Sequence, residues 1–341
     1  MKEKLTQAYN KNYKLFLVIP AIILLISLII IGSTYVRTGD FIHRDVSLTG
    51  GTTIKVSTSV LAADVQKALS GQFPNIEVRS LSDNAGRQIQ LSIITSEPIE
   101  TIRPVLENYL GFKLTDQNSS IEFTGSSLSK DFYTQLIMAI AIAFFWMAAV
   151  VFVIFAPKWK TKILAVFLNL LFGFFLGMLF LKLNIYLSVA ILLVFAAGLI
   201  YIYIKNSIPS FAVMFCAFAD ITMTLAVVDI VNMKISAAGI VAFLMLIGYS
   251  VDTDILLTTR VLKRRGTSVN SEILSAFKTG MTMTLTAIAS VAVALFFVYS
   301  FQTSLNQIFI ILLIGLFFDM LNTWVTNTTL IKWFIEAKEG Q

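Results

Sequence analysis

Eight apolar runs dominate the chain, each near the ~20 residues that a helix needs to cross ~30 Å of hydrocarbon. They are Leu15–Val36, Phe132–Phe155, Ile163–Leu181, Ile185–Ile204, Ile208–Val231, Ala237–Thr258, Ala276–Tyr299 and Ile308–Leu330. Within a bilayer every backbone N–H and C=O must find its partner inside the protein, so runs of this length are helices. The reading is a polytopic α-helical membrane protein of about eight spans. Composition agrees, because only 13% of the 341 residues are charged. A soluble domain carries about a quarter. A soluble enzyme, a nucleic-acid reader and a disordered tail are excluded on that ground. Leu15–Val36 is too long for a signal-peptide core and reads as a retained anchor. The single cysteine, Cys216, rules out an intrachain disulfide and reads as a packing residue. The single histidine, His43, rules out a multi-histidine metal site and reads as an exposed interfacial residue. There is no Walker A sequence or dinucleotide fingerprint, so no cofactor is expected.

Basic residues orient the spans. They cluster in the N-terminal tail (Lys2, Lys4, Lys11, Lys14), after the second span (Lys158, Lys160, Lys162) and after the fourth (Lys205). Further clusters follow the sixth span (Arg260, Lys263, Arg264, Arg265) and the last (Lys332, Lys338). With both termini cytosolic these all fall on the cytosolic side, facing only Lys182 and Lys234 opposite. The expected layout is a cytosolic tail over 1–14, a first span over 15–36 and an extracytoplasmic domain over 37–130. A bundle over 131–334 and a cytosolic tail over 335–341 follow. The protein then sits in the cell membrane as a multi-pass protein.

Residues 37–130 break the apolar pattern. Thr49–Ser57, Asn75–Leu81, Arg87–Thr95 and Ser120–Phe123 read as strands, and Val60–Phe73 and Ile99–Leu110 as helices. Asp83-Asn84-Ala85-Gly86 reads as the turn between the middle strands. The order βαββαβ is that of a small α+β ferredoxin-like domain. Gly50-Gly51 permits a tight turn into its first strand.

Charges inside apolar runs carry the functional signal, since each costs a few kcal/mol or more unless it has a partner, water or a task. Asp220 lies near the middle of the fifth span, Asp252 and Asp254 in the inner half of the sixth, and Asp319 near the middle of the eighth. Lys278 lies about one turn inside the seventh. One reading is a proton or cation pathway, with Lys278 as counter-ion. The other is interhelical packing, in which the acids bond to Ser, Thr or backbone. Four acids on three helices favour the pathway. Asp252 and Asp254 stand about 200° apart around a helix, so one faces the cytosolic rim with Arg260; Asp254 is the weaker member of the set. Thr279, Thr282, Thr286 and Ser290 share one face of the seventh span, as a hydrated path beside the acids or as packing surface. Asp319, Asn322 and Thr326 form an inward stripe on the eighth. An intramembrane aspartyl protease would need two carboxylates sharing a proton, and the Gly-x-Gly-Asp sequence is missing. No catalytic residue is expected, and the chain reads as no enzyme.

Three motifs resemble those of the SecD/SecF family of protein-export membrane proteins, in the archaeal SecF form. Asp45-Val46-Ser47-Leu48-Thr49-Gly50-Gly51-Thr52 resembles the signature that follows the first span. Ala219-Asp220-Ile221 resembles the family's acidic motif. The run Leu246 to Arg260, with Gly248-Tyr249-Ser250-Val251 at its head, resembles the long Gly-Tyr-Ser-Val signature and is the most specific match. The resemblance covers nearly the whole chain. It implies a SecF-like bundle paired with a SecD-like subunit beside a SecYE-type channel. That assembly uses the proton gradient to help a translocating polypeptide cross or leave the lipid bilayer, without nucleic acid. Bacterial members place an Asp–Arg pair where this chain has Thr253, between Asp252 and Asp254, and Lys278. A buried lysine can release its proton, whereas arginine effectively cannot. Asp319 resembles an archaeal feature. The family has six spans, so 158–205 reads as an inserted two-span hairpin whose even number of crossings preserves orientation. The alternative reading is a resistance–nodulation–division transporter subunit for a lipid or small molecule.

Overall fold

A computed structural model describes residues 12–73, 76–82, 87–179, 184–264, 268–299 and 304–339. A 3-10 turn, Tyr13–Leu17, leads into α1 (Val18–Thr38). The one-turn helix α2 (Val46–Thr49) then precedes the α+β domain: β1 (Gly51–Val56), α3 (Ala62–Leu69), β2 (Glu77–Ser82), β3 (Gln88–Thr95), α4 (Ile99–Leu110) and β4 (Ser119–Thr124). The bundle follows with α5 (Ser126–Phe155), α6 (Trp159–Phe174, continued by a π turn to Leu179) and α7 (Ile185–Asn206). Next come α8 (Ile208–Ile230), α9 (Ala237–Leu262), α10 (Val269–Val298) and α11 (Ser304–Leu321). A π segment, Asn322–Asn327, joins α11 to α12 (Thr328–Glu339). Among the described residues, eight helical stretches are long and apolar enough to cross a membrane, as the sequence predicts.

The domain has the expected βαββαβ order, and its antiparallel sheet runs β2-β3-β1-β4. Strand alternation sends Ile54, Val56, Leu91 and Ile93 to one face, where Val65 and Leu69 of α3 and Ile102 and Leu106 of α4 cover them. Each such side chain contributes about 1.5–3 kcal/mol by leaving water. The predicted turn at Asp83–Gly86 lies outside the described residues. Gly50 and Gly51 take φ of 84° and 143°, and a Cβ on Gly51 would collide with the Thr95 carbonyl oxygen. Only glycine lets the chain enter β1 against β3 there.

Side-chain caps start α8, α9 and α10. Ser207, Ser236 and Ser268 accept hydrogen bonds from the N–H groups of Ser210, Gly239 and Ser271. Pro209 sits in the first turn of α8, where its missing N–H costs nothing. α8 and α9 are the central helices, with most of their spans buried. α10 lies at the margin and is almost wholly uncovered. The α6–α7 hairpin packs on α5 and α8 through Ala148, Phe152, Ala165, Leu199, Tyr203 and Met214. Its internal polar residue, Asn169, donates to Tyr203 Oη at 3.0 Å and to Ala165 O at 2.7 Å. The outer faces of both hairpin helices stay apolar and exposed at Phe167, Leu170, Phe174, Leu193 and Val194.

Candidate functional site

Three carboxylates cluster in the interior of the bundle, from three different helices, apart from the buried Asp229 near the end of α8. Asp220 of α8, Asp254 of α9 and Asp319 of α11 are each at most 1% exposed. Asp220 Oδ2 accepts from Ser250 Oγ at 2.6 Å and Oδ1 from Asn322 Nδ2 at 2.7 Å. Thr326 Oγ1 donates to Asn322 Oδ1 at 3.1 Å, which orients that carboxamide toward Asp220. Asp254 Oδ1 accepts from Asn327 Nδ2 at 2.8 Å and from Thr323 Oγ1 at 2.9 Å. The same Thr323 hydroxyl lies 3.3 Å from Asp319 Oδ1 and so bridges the two acids. Asp254 Oδ2 and Asn327 Oδ1 are buried and have no hydrogen-bond partner among the described residues.

The π segment carries four of the polar residues around these acids. Its i→i+5 turns are wider than α turns, and Asn322, Thr323, Thr326 and Asn327 are all buried in it. Positions i, i+3, i+4, i+7 and i+8 share one face even of a regular helix, so Thr323 and Asn327 extend the predicted stripe of Asp319, Asn322 and Thr326. Thr323 and Asn327 are the site residues that sequence reasoning missed. The four-residue steps from Asp319 to Thr323 to Asn327 are visible in the chain, but nothing in the sequence announces a π turn.

Several placements differ from expectation. Asp254, expected to be the weaker acid, is central, whereas Asp252 is exposed on the outer face of α9. The geometry allows only one of the two to point inward, and the inward place belongs to the residue facing Thr323 and Asn327. Arg260 does not pair with either acid; its guanidinium donates to Ser275 O at 3.0 Å and Ser275 Oγ at 3.1 Å, tying α9 to α10. Lys278 is exposed, and among the described residues no Lys or Arg forms an ion pair with Asp220, Asp254 or Asp319.

The hydroxyl stripe of α10 is likewise not beside the acids. Thr282, Thr286 and Ser290 face out of the bundle, whereas the buried residues of α10 are Ala276, Gly280 and Thr284. With Tyr249, Met283, Ala287, Val291 and Leu316 they line a shallow groove of about 500 Å³. The Gly-Tyr-Ser-Val run is thereby split between two surfaces. Ser250 points inward to Asp220, and Tyr249 points outward to the groove. Gly248 has open space where a side chain would stand.

A family model described as "Protein export membrane protein SecD/SecF, C-terminal" matches residues 179–337, which hold the three clustered acids. A protein-export membrane protein SecF of Methanocaldococcus jannaschii is 30% identical over 331 residues, covering 95% of this chain and 96% of that one. Its counterpart in Pyrococcus furiosus is 27% identical over 343 residues, covering 100% and 97%. Among solved structures, SecDF, a translocon-associated membrane protein from Thermus thermophilus, shares the fold with a TM-score of 0.59 at 14% identity. That match covers 95% of this chain and 38% of the SecDF chain. The chain belongs to the SecF family of protein-export membrane proteins.

Proposed function

We propose that this protein is an auxiliary subunit of the Sec protein-export machinery and that proton movement through Asp220, Asp254 and Asp319 drives it. The observation that carries the reading is the cluster of three buried carboxylates, with no cation paired to it among the described residues. Charge in a dry interior needs a partner. Three neighbouring carboxylates with only hydroxyls and amides around them cannot all be ionised at once, so protons reside there. Hydroxyl bridges at Ser250 and Thr323 join them, which suits transfer between acids. Asp252 and Lys278 stand outside this cluster.

The relatives' names, protein-export membrane proteins, support a role in protein export, which this reading sets at the cell membrane. In it both termini face the cytosol and the α+β domain faces outward, as the basic clusters require. A SecD-like subunit is the partner that covers the α10 groove, because its small hydroxylated residues let a neighbouring helix approach closely. A SecYE-type channel and the translocating chain complete the assembly.

The test is export of a secreted reporter in cells carrying only the variant chain. Asp220→Asn and Asp319→Asn each lower export at least about tenfold, the effect of losing ~1.4 kcal/mol of driving force. Lys278→Met leaves the cluster intact and changes export less. Full export in both Asn variants would remove the proton reading.

A further inference from the structure

The loop between α8 and α9 joins the bundle to the α+β domain, and three consecutive residues in it grip different elements. Ile235 is fully buried; its N–H donates to His43 O at 2.6 Å and its carbonyl accepts from Asp45 N–H at 2.9 Å. That clip holds the strap running from α1 into α2 and β1. Lys234 Nζ meets Glu77 Oε2 of β2 at 2.6 Å. Ser236 caps α9 through Gly239 N–H at 3.4 Å.

A single side chain ties this loop to α11. Gln307, in the first turn of α11, donates from Nε2 to Lys234 O at 2.5 Å. Its Oε1 accepts from Ser236 N–H at 2.9 Å and from Ser236 Oγ at 2.5 Å. The carboxamide thus closes on the loop from both sides with its donor and its acceptor used. The fit is close: a Cβ on Gly239 would stand 2.6 Å from Gln307 Oε1.

The loop therefore has three helical attachments. Two are its own ends, α8 and α9, which carry Asp220 and Asp254. The third, through Gln307, is α11, which carries Asp319 about 18 Å further along one continuous helix. On its other side the loop holds the strap and β2. These elements border a cleft of about 710 Å³ with Lys234, Ser236 and Gln307 at one side and Thr53, Lys55 and Ser92 of the sheet at the other.

We propose that Gln307 is a positioning residue that passes the protonation state of the buried acids to the α+β domain. This inference rests on the reading of Asp220, Asp254 and Asp319 as a proton site. A shift or tilt of α11 moves the Lys234–Ser236 loop directly, because a packed helix moves as a unit. The loop then moves the strap and β2 together and resets the cleft. Without the Gln307 bonds α11 slides past the loop, and the acids change state without the domain responding.

The experiment uses the full chain in lipid nanodiscs. Spin labels go on Glu100→Cys of α4 and Phe297→Cys of α10, two exposed sites away from the loop; fully buried Cys216 is left in place. Asp319→Asn fixes that acid in its neutral form. The expected result is a change in the label distance caused by Asp319→Asn, which disappears in a Gln307→Met background. Gly239→Ala, which pushes the carboxamide aside by contact instead of removing it, abolishes the response too. Gln307→Met lowers reporter export like Asp319→Asn, and the two together are no worse than either alone. An undiminished distance response in both loop variants overturns the role of Gln307 while the proton site stands. Lowered export in Asp319→Asn without any movement of the labels in the native background overturns that role as well. Full export in Asp220→Asn and Asp319→Asn overturns the proton site itself.

Discussion

At the scale of single residues, the consequences are sharpest where an atom has no substitute. Gly51 is such a position. Its φ of 143° and the Thr95 carbonyl against it exclude any side chain. Gly51→Ala costs roughly 1–3 kcal/mol in backbone strain alone and parts β1 from β3. The check is amide hydrogen exchange on the full-length protein. Protection of Thr53, Lys55 and Ser92 falls, while that of α8 and α9 is kept. Uniform protection in the variant would show that β1 accommodates a side chain. The signature Gly50-Gly51 could be read from sequence as a turn, but the collision with Thr95 could not, because it depends on where β3 lands. The same limit applied to the acids. Asp220 and Asp319 were legible as charges too deep in apolar runs to be incidental. Which of Asp252 and Asp254 points inward depends on the rotation of α9, and periodicity leaves that open in a helix apolar on most sides.

At the scale of elements, the chain announced its helices and strands because length and alternation are local properties. Ile99–Leu110 is a helix with the predicted bounds, and Asn75–Leu81 and Arg87–Thr95 fall within two residues of β2 and β3. The π segment and the loop clip at Ile235 were hidden, since each is made by contacts across distant parts of the chain. One such contact makes a prediction about acid. Burial raises the pKa of Glu77, but Lys234 and Arg79 outweigh it and hold the carboxyl below its usual range. A lowered folded value means that the charged form favours the docked domain. The stabilisation is present above the ordinary carboxylate range and is lost as pH falls through the lower, folded value. Hydrogen exchange at Ile235 therefore stays slow through mildly acidic pH and quickens only below that range. Glu77→Gln quickens exchange at neutral pH and removes this acid step. An acid step that persists unchanged in the variant would assign it to another group.

At the scale of the whole molecule, the bundle keeps its clustered acids inside and sets a row of hydroxyls in an outward groove. The groove holds Tyr249, Thr282, Thr286 and Ser290, on helices that otherwise meet lipid with Phe296, Phe297 and Val293. Covering that groove with larger apolar groups blocks partner docking without touching the acids. Thr282→Leu together with Thr286→Leu reduces recovery of the proposed SecD-like partner with the tagged protein from native membranes, at least several-fold. Equal recovery would move the interface elsewhere, the apolar back of the α6–α7 hairpin being the next surface to test. The hydroxyls of this groove have one more property. Thr282 donates to Lys278 O at 2.8 Å, Thr286 to Thr282 O at 2.7 Å and Ser290 to Thr286 O at 2.8 Å. Each is satisfied within its own helix, so the face needs nothing from a neighbour to survive in hydrocarbon. A newly made copy can thus wait in the membrane as an orphan, without the penalty that marks misassembled proteins for destruction. Supply of this chain and of its proposed partner need not be synchronised.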